Sequence, residues 1–372
     1  MSCQTPIVGP RVAAVVEQSW HRVPGGTATS TIRTLDAVAT YTDVEFVGLA
    51  ARHREAAPAD LVPTIPVEHL PLSRVVLYEA WHRLRRPAVT RWTGPVDVVH
   101  ATGGVIPPRS GAGLVVTIHD LAFLREPEQF TKRGVSFMTR GLELAQRDAD
   151  LIIVPSEATA QDCLNAGIER CRLRVIPWGC QQVEVSDFDR TNVRDAYSLP
   201  EEFLLWVGTA EPRKNLPALL EAHERVHADL PLVLVGPVGW GSDAMYGTPG
   251  GTDRVRHLGV VPGSVLSVLY ELATAFVYPS LMEGFGMPVL EAMAQGTPVI
   301  TSRGSATEEV AGGAARLIDP LDSGSIAVAI DELASDAVLR DRLSAKSRVR
   351  AAALTWENTA NLTASAYREV VR

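Results

Sequence analysis

Short apolar runs alternate with helix-spaced stretches along most of the chain. Val12 to Val16, Val96 to His100, Leu114 to His119 and Leu151 to Pro155 form such runs in the first half. Phe203 to Gly208, Leu232 to Gly236 and His257 to Val261 repeat the pattern in the second. Runs that are continuously apolar suit strands covered on both faces. Between them apolar residues recur at helical spacing, as in Ile32, Leu35 and Val38, or Leu216, Leu219, Leu220 and Val226. Strand and helix in alternation predict an α/β fold of doubly wound parallel sheets, whose ligands bind beyond the carboxyl ends of the strands. Val175 to Gly179 reads as the last strand before a polar, acidic stretch from Gln181 to Asp189, so the predicted boundary separates 1–182 from 183–355.

The punctuation between these elements is specific. Pro24-Gly25-Gly26 predicts a turn between the first strand and its helix. Ser156 is positioned to cap a helix that Gly167 ends, and Asn215 and Ser264 are expected to cap two others. Ser305 and Glu308 have the spacing of a capping box.

The densest stretch is YPSLMEGFGMPVLEAMAQGTPVI, Tyr278 to Ile300. A strand ends at Tyr278-Pro279-Ser280, a loop holds Gly284 and Gly286, and Pro288 suits the first position of a helix that Gly296 and Pro298 stop. Such a helix start offers unpaired N–H groups and a partial positive charge to a phosphate. Glu283 and Glu291, with seven residues between them, place two carboxylates beside that site. Carboxylates next to phosphate fit best when they accept hydrogen bonds from hydroxyls, which implies a sugar nucleotide. The alternative is a loop charge and a solvated helix residue.

Arg213 and Lys214 sit just ahead of the helix starting near Asn215, and two cations at a helix N-terminus make a diphosphate site. An ion pair of Arg213 with Glu211 is the competing reading. His100 and His119 both end strands, where a histidine is either structural or ligand-facing.

The stretch from Tyr278 to Ile300 resembles the E-x7-E signature of the family 4 glycosyltransferases, retaining enzymes of the GT-B fold. GTAEPRKNL from Gly208 and Thr117-Ile118-His119-Asp120 are similar to further motifs of that family. The resemblance implies two Rossmann-like domains facing a cleft: an N-terminal acceptor domain, a C-terminal nucleotide-sugar domain, and a last helix, 356–372, returning to the first. It implies catalytic roles for His119, Lys214 and Glu283. His119 and Glu283 would contact the donor sugar, and Lys214 would grip the diphosphate and stabilise the leaving group. Donor binding would further involve Gly25, Gly26, Gly208, Arg213, Val261 (or its neighbour Val260, through backbone to the base), Phe285, Gly286, Met287 and the ribose-binding Glu291. One departure from the family pattern is Thr209, where many members carry arginine.

Composition narrows the rest. A length of 372 residues, 46% apolar, suits two domains, and a net charge of −8 argues against general nucleic-acid binding. No apolar run approaches the roughly 20 residues of a membrane span, and the N-terminus lacks a signal-peptide pattern, so a cytoplasmic location is expected. Cys3, Cys163, Cys171 and Cys180 suggest reduced thiols rather than a disulfide scaffold. Arg74 to Trp92 carries five arginines, and reads either as a solvated amphipathic helix or as a docking face for an anionic acceptor or the inner face of a membrane. Asp148-Ala149-Asp150 and Asp187-Phe188-Asp189 fit a metal-binding tripeptide, but neither is expected at a ligand-facing strand end, so no metal and no cofactor is predicted. The donor is a nucleoside diphosphate sugar; the acceptor is a glycan, glycolipid or small molecule. A sugar-nucleotide isomerase or phosphorylase of similar fold and a non-catalytic binding protein are the rival readings, separable by product analysis without acceptor and by turnover. A dinucleotide enzyme is disfavoured, because no G-x-G-x-x-G follows the first strand.

Overall fold

The computed structural model describes residues 9–21, 25–237 and 254–371. The chain gathers into two compact units, one of Met1–Gly179 with Trp356–Arg372 and one of Cys180–Thr355. Among the described residues the first unit holds β1 (Arg11–Val15), β2 (Glu45–Ala50), β3 (Val67–His69), β4 (Val98–Ala101), β5 (Gly113–Thr117), β6 (Leu151–Val154) and β7 (Leu173–Val175). They pair in the order β3-β2-β1-β4-β5-β6-β7, every neighbour parallel. The second unit holds β8 (Leu204–Val207), β9 (Leu232–Val235), β10 (Val255–Gly259), β11 (Ala275–Tyr278), β12 (Val299–Ser302) and β13 (Arg316–Ile318). Their order is β10-β9-β8-β11-β12-β13, again all parallel.

Both sheets therefore reverse their winding direction once, between β1 and β4 and between β8 and β11. A doubly wound sheet opens its crevice at that point, beyond the carboxyl ends of the strands. Parallel strands need crossover helices on both faces, which explains why β1, β4, β6, β8, β9 and β11 are almost uniformly buried. The edge strands β3 and β13, three residues each, are too short to stand out in the sequence.

The last helix, Trp356–Val370, belongs to the first unit, where Ala360, Ala364 and Tyr367 are buried against the helix Gly25–Tyr41 and β5. Tyr367 reaches His100 at the end of β4: its hydroxyl lies 2.8 Å from Nδ1, and the Thr117 hydroxyl lies 2.8 Å from Nε2. His100 is thus a satisfied core histidine. Burial holds its pKa down to about 3, so it stays neutral across the ordinary range. A folded value below the unfolded one stabilises the unit above about pH 6.5 and loses that contribution as the pH falls toward 3. Tyr367→Phe strands a buried ring nitrogen, and calorimetric melting is expected to show a loss of about 1–3 kcal/mol. An unchanged melting point would mean that the hydroxyl does not hold the ring.

Several local expectations are corrected. Val175 to Gly179 is not one strand: β7 ends at Val175 and residues 176–179 are irregular. The acidic stretch before Asp189 is not all linker, because Asp187–Ala196 is a helix that Ser186 and Asp189 close with a capping box. Asn215 takes a left-handed backbone, and its amide donates to the Pro320 carbonyl at 2.6 Å instead of capping the helix Leu216–Arg225. Ser264 lies inside the first turn of the helix Gly263–Leu272, which follows Pro262, and makes no cap. Glu308 reaches the Gly304 N–H rather than closing a box with Ser305. The Ser156 cap forms as expected, accepting from the Thr159 N–H at 3.1 Å.

Candidate active site

In the second unit, β8 and β11 flank the switch point and deliver the two motifs to one place. Beyond β8 the chain passes Gly208 and makes a single turn at Pro212–Lys214. Beyond β11 it continues through Ser280 to Glu283. The two loops are stitched by backbone, the Leu281 N–H donating to the Arg213 carbonyl at 2.8 Å. Glu283 then meets both cations. Its Oε2 lies 2.8 Å from Arg213 Nη1, and its Oε1 lies 3.2 Å from Lys214 Nζ. Oε1 also accepts from the Tyr278 hydroxyl at 2.7 Å and from Ser280 at 3.1 Å. Burial alone would push the Glu283 carboxyl up, yet Lys214, Arg213 and the Tyr278 and Arg213 hydrogen bonds outweigh it and hold the pKa at about 2. The group is a permanent carboxylate locked in one orientation.

Lys214 is buried, its stem lying so close to Gly208 that a Cβ there would stand 2.9 Å from Lys214 Cδ. Its ammonium donates to Tyr278 and Glu283, leaving a third donor for an anion. Arg213 is shared, since its Nε also holds Glu211 at 2.8 Å. The ion pair with Glu211 is therefore made, and Arg213 holds Glu283 as well.

The helix Met287–Gln295 follows directly, starting one residue earlier than expected and leaving Pro288 in its first turn. Gly286 precedes it with φ +107°, and a Cβ would come within 2.8 Å of Thr307 Cγ2. Only glycine allows this approach. Phe285 is buried, and Glu291, half-buried, accepts from Tyr270 at 3.1 Å. Val261 is half-buried in the irregular stretch between β10 and the helix Gly263–Leu272, while Val260 is exposed.

The first unit places His119 just past the end of β5. Its Nε2 lies 2.8 Å from the Thr102 carbonyl, which can only accept, so Nε2 carries the proton and Nδ1 is the lone-pair acceptor. Nδ1 is buried without a partner among the described residues, and the ring lies 5.5 Å from Trp178. Burial lowers the pKa of this imidazole. Gly25 and Gly26 are exposed and form the first two positions of the helix Gly25–Tyr41 instead of a separate turn; Pro24 lies outside the described residues.

The arginine-rich stretch splits. Leu77 and Trp81 face the core, whereas Val75, Val76 and Leu84 are exposed beside Arg74 and Arg83. Arg85 is structural, donating to the Trp81, Ile106 and Pro107 carbonyls and pairing with Asp148. Asp148 and Asp150 are committed to Arg85, Arg147 and Arg109, and Asp189 to its capping box. No helix among the described residues is long and apolar enough to cross a membrane.

Tyr278, Ser280 and Tyr270 escaped the sequence reading. A buried tyrosine ending a strand five residues before Glu283 was the available signal, since a buried phenol must find a partner.

Comparison with known proteins identifies the family and the fold. Residues 189–350 match the family described as Glycosyl transferases group 1, and residues 24–181 match Glycosyltransferase Family 4. The chain is 33% identical over 267 residues to the O-antigen chain mannosyltransferase B of Escherichia coli, covering 68% of this chain and 70% of that one. It is 28% identical over 348 residues to a D-inositol 3-phosphate glycosyltransferase of Geodermatophilus obscurus, covering 86% and 75%. Among solved structures, Anabaena HepE in complex with UDP and glucose superimposes with a TM-score of 0.75 at 18% identity, covering 97% of this chain and all (100%) of that one.

Proposed function

This chain belongs to the family 4 glycosyltransferases of the group 1 type, and on that premise we propose that it moves a sugar from a nucleoside diphosphate donor to an acceptor hydroxyl with retention. The observation that carries the reading is the cluster of buried Lys214 and Tyr278 with half-buried Arg213 and Glu283 next to the start of the helix Met287–Gln295. The third Lys214 donor and the helix N-terminus would take the diphosphate oxygens, stabilising charge as it develops on the leaving group. Glu283, fixed by its partners, would accept from a donor-sugar hydroxyl, and Glu291 from the ribose. In the first unit His119 offers Nδ1 as an acceptor to a further sugar hydroxyl.

The anomeric C–O bond to phosphate breaks and a new C–O bond to the acceptor forms on the same face. The acceptor's proton passes to a departing diphosphate oxygen. No metal is required in this scheme: the paired aspartates that could hold one are already committed, and cationic side chains neutralise the diphosphate. Two relatives named as glycosyltransferases and the UDP complex of HepE support a nucleotide-sugar donor. Arg74, Arg83 and the exposed Val75, Val76 and Leu84 support peripheral contact with an anionic lipid surface.

Calorimetric titration of UDP, GDP, ADP and dTDP in EDTA tests the donor site. One nucleotide is expected to bind selectively, and Glu291→Ala to weaken it about tenfold through loss of a charged hydrogen bond. Binding by none of the four, or equal binding by the variant, would remove the basis for this assignment.

A further inference from the structure

The first turn of the helix Met287–Gln295 has few N–H groups to give. Pro288 has none, and the Val289 and Leu290 N–H groups both donate to the Gly286 carbonyl, at 3.0 and 3.3 Å. The Met287 N–H has no partner among the described residues, which makes it the donor of that turn left for a phosphate. It lies in one peptide plane with the Gly286 carbonyl, so the backbone of Gly286 aims it.

What holds Gly286 comes from the next strand and helix. Thr307, in the short helix Ala306–Ala311 beyond β12, is fully buried. The three atoms nearest to a Cβ built on Gly286 all belong to it: Cγ2 at 2.8 Å, and Cα and Cβ at 3.5 Å. Threonine carries its methyl and hydroxyl on one carbon, so the group that faces the glycine depends on where the hydroxyl is held. The Thr307 hydroxyl lies 2.8 Å from that of Thr301 and 2.7 Å from that of Ser305. Thr301 lies 3.0 Å from the Tyr278 carbonyl, which can only accept, so the single Thr301 hydrogen goes there and its oxygen accepts from Thr307. Thr307 in turn accepts from Ser305, whose other acceptor, the Ser302 carbonyl, is further away at 3.3 Å. The hydrogens run one way, from Ser305 through Thr307 and Thr301 to the end of β11. With its hydroxyl committed to this chain, Thr307 is left with its methyl against Gly286.

We propose that Thr307 is a positioning residue for donor binding: its methyl, fixed by the hydroxyl chain, holds Gly286 in the backbone setting that points the Met287 N–H at the diphosphate. This deepens the transferase reading above and rests on it for the diphosphate. Being fully buried, Thr307 acts through Gly286 and Met287 and not by touching the donor. The anion contact is thereby preorganised, since the φ of +107° at Gly286 is set before a ligand arrives.

The test uses the full chain labelled with ¹⁵N-methionine, whose six methionines leave few amide signals; Met287→Leu assigns the one that matters. UDP, GDP, ADP and dTDP are the probes, each titrated by calorimetry and followed at the Met287 amide. In the parent, the nucleotide that binds should move the Met287 amide proton downfield. Thr307→Ser keeps the hydroxyl and deletes the methyl, and is expected to weaken that nucleotide about five- to tenfold and to reduce the Met287 shift. Thr307→Val keeps a methyl against Gly286 and deletes the hydroxyl, and should recover most of the affinity. Each variant removes a buried group, so both should melt below the parent; a merely structural role would lower both melting temperatures and neither affinity. Parent-like affinity in Thr307→Ser, or equal losses of affinity in the two variants, would overturn the proposal and leave the donor site standing. Nucleotide binding by the parent with an unmoved Met287 amide would do the same. Binding of none of the four to the parent would overturn the donor reading and this proposal with it.

Discussion

Lys214→Ala is expected to lower sugar transfer by about a thousandfold and nucleoside diphosphate affinity by about ten- to a hundredfold. The larger loss in turnover follows from where the charge is needed. Lys214 is already paired with Glu283 in the free protein, so its third donor is worth most when negative charge grows on the departing diphosphate. Lys214→Arg should not restore activity. The stem lies against Gly208, and a planar guanidinium does not reproduce the single-point contacts that the ammonium makes with Tyr278 and Glu283. Steady-state kinetics with the donor identified by calorimetry provides the measurement. Activity of Lys214→Ala within tenfold of the parent would place the leaving-group charge elsewhere.

Glu283→Gln should abolish most transfer and also unfold the second unit earlier. The carboxylate compensates a buried lysine and a half-buried arginine, and removing one partner of such a cluster costs about 3–5 kcal/mol, a fall in melting temperature on the order of 10 °C. The lowered pKa of Glu283 reflects the same contacts. The distance between the ordinary 4.5 and about 2 corresponds to about 3 kcal/mol favouring the folded state above pH 4.5. Because the folded value is the lower one, that contribution is lost as the pH falls from 4.5 through 2, so over this window the parent should weaken more steeply than the variant. Differential scanning calorimetry at pH 7 and pH 3.5 distinguishes the two curves. A variant that melts with the parent at both pH values would make Glu283 a ligand contact with no structural share.

The two roles of Glu283 explain what local sequence reading found and what it missed. Its position in a glycine loop before a helix is a local pattern, legible in Glu283-Gly284-Phe285-Gly286-Met287-Pro288. Its binding to Lys214 and Arg213, 69 and 70 residues away, is not. Arg213 illustrates the point: sequence left an ion pair and a diphosphate contact as alternatives, and the fold brings Glu211 and Glu283 to one guanidinium. Asn215 shows the reverse. Its residue type predicts a cap, but the Pro320 carbonyl from 105 residues further on competes for the amide and wins.

The sequence by itself determined the α/β class, the parallel sheets and the loops at strand ends, since apolar runs, helical spacing and glycines act through a few neighbouring residues. It also determined which charged residues stand in the loops at the ends of β8 and β11, through motifs contained in short stretches. Only the tertiary structure decided that His100 belongs to the core, held by Tyr367 from 267 residues away, while His119 keeps a lone pair. Only the tertiary structure decided that Thr102 would fix the tautomer of His119. The reason is physical: a hydrogen bond is made or lost over about an ångström, and that distance between groups on different strands is set by register and crossover, which no local periodicity encodes.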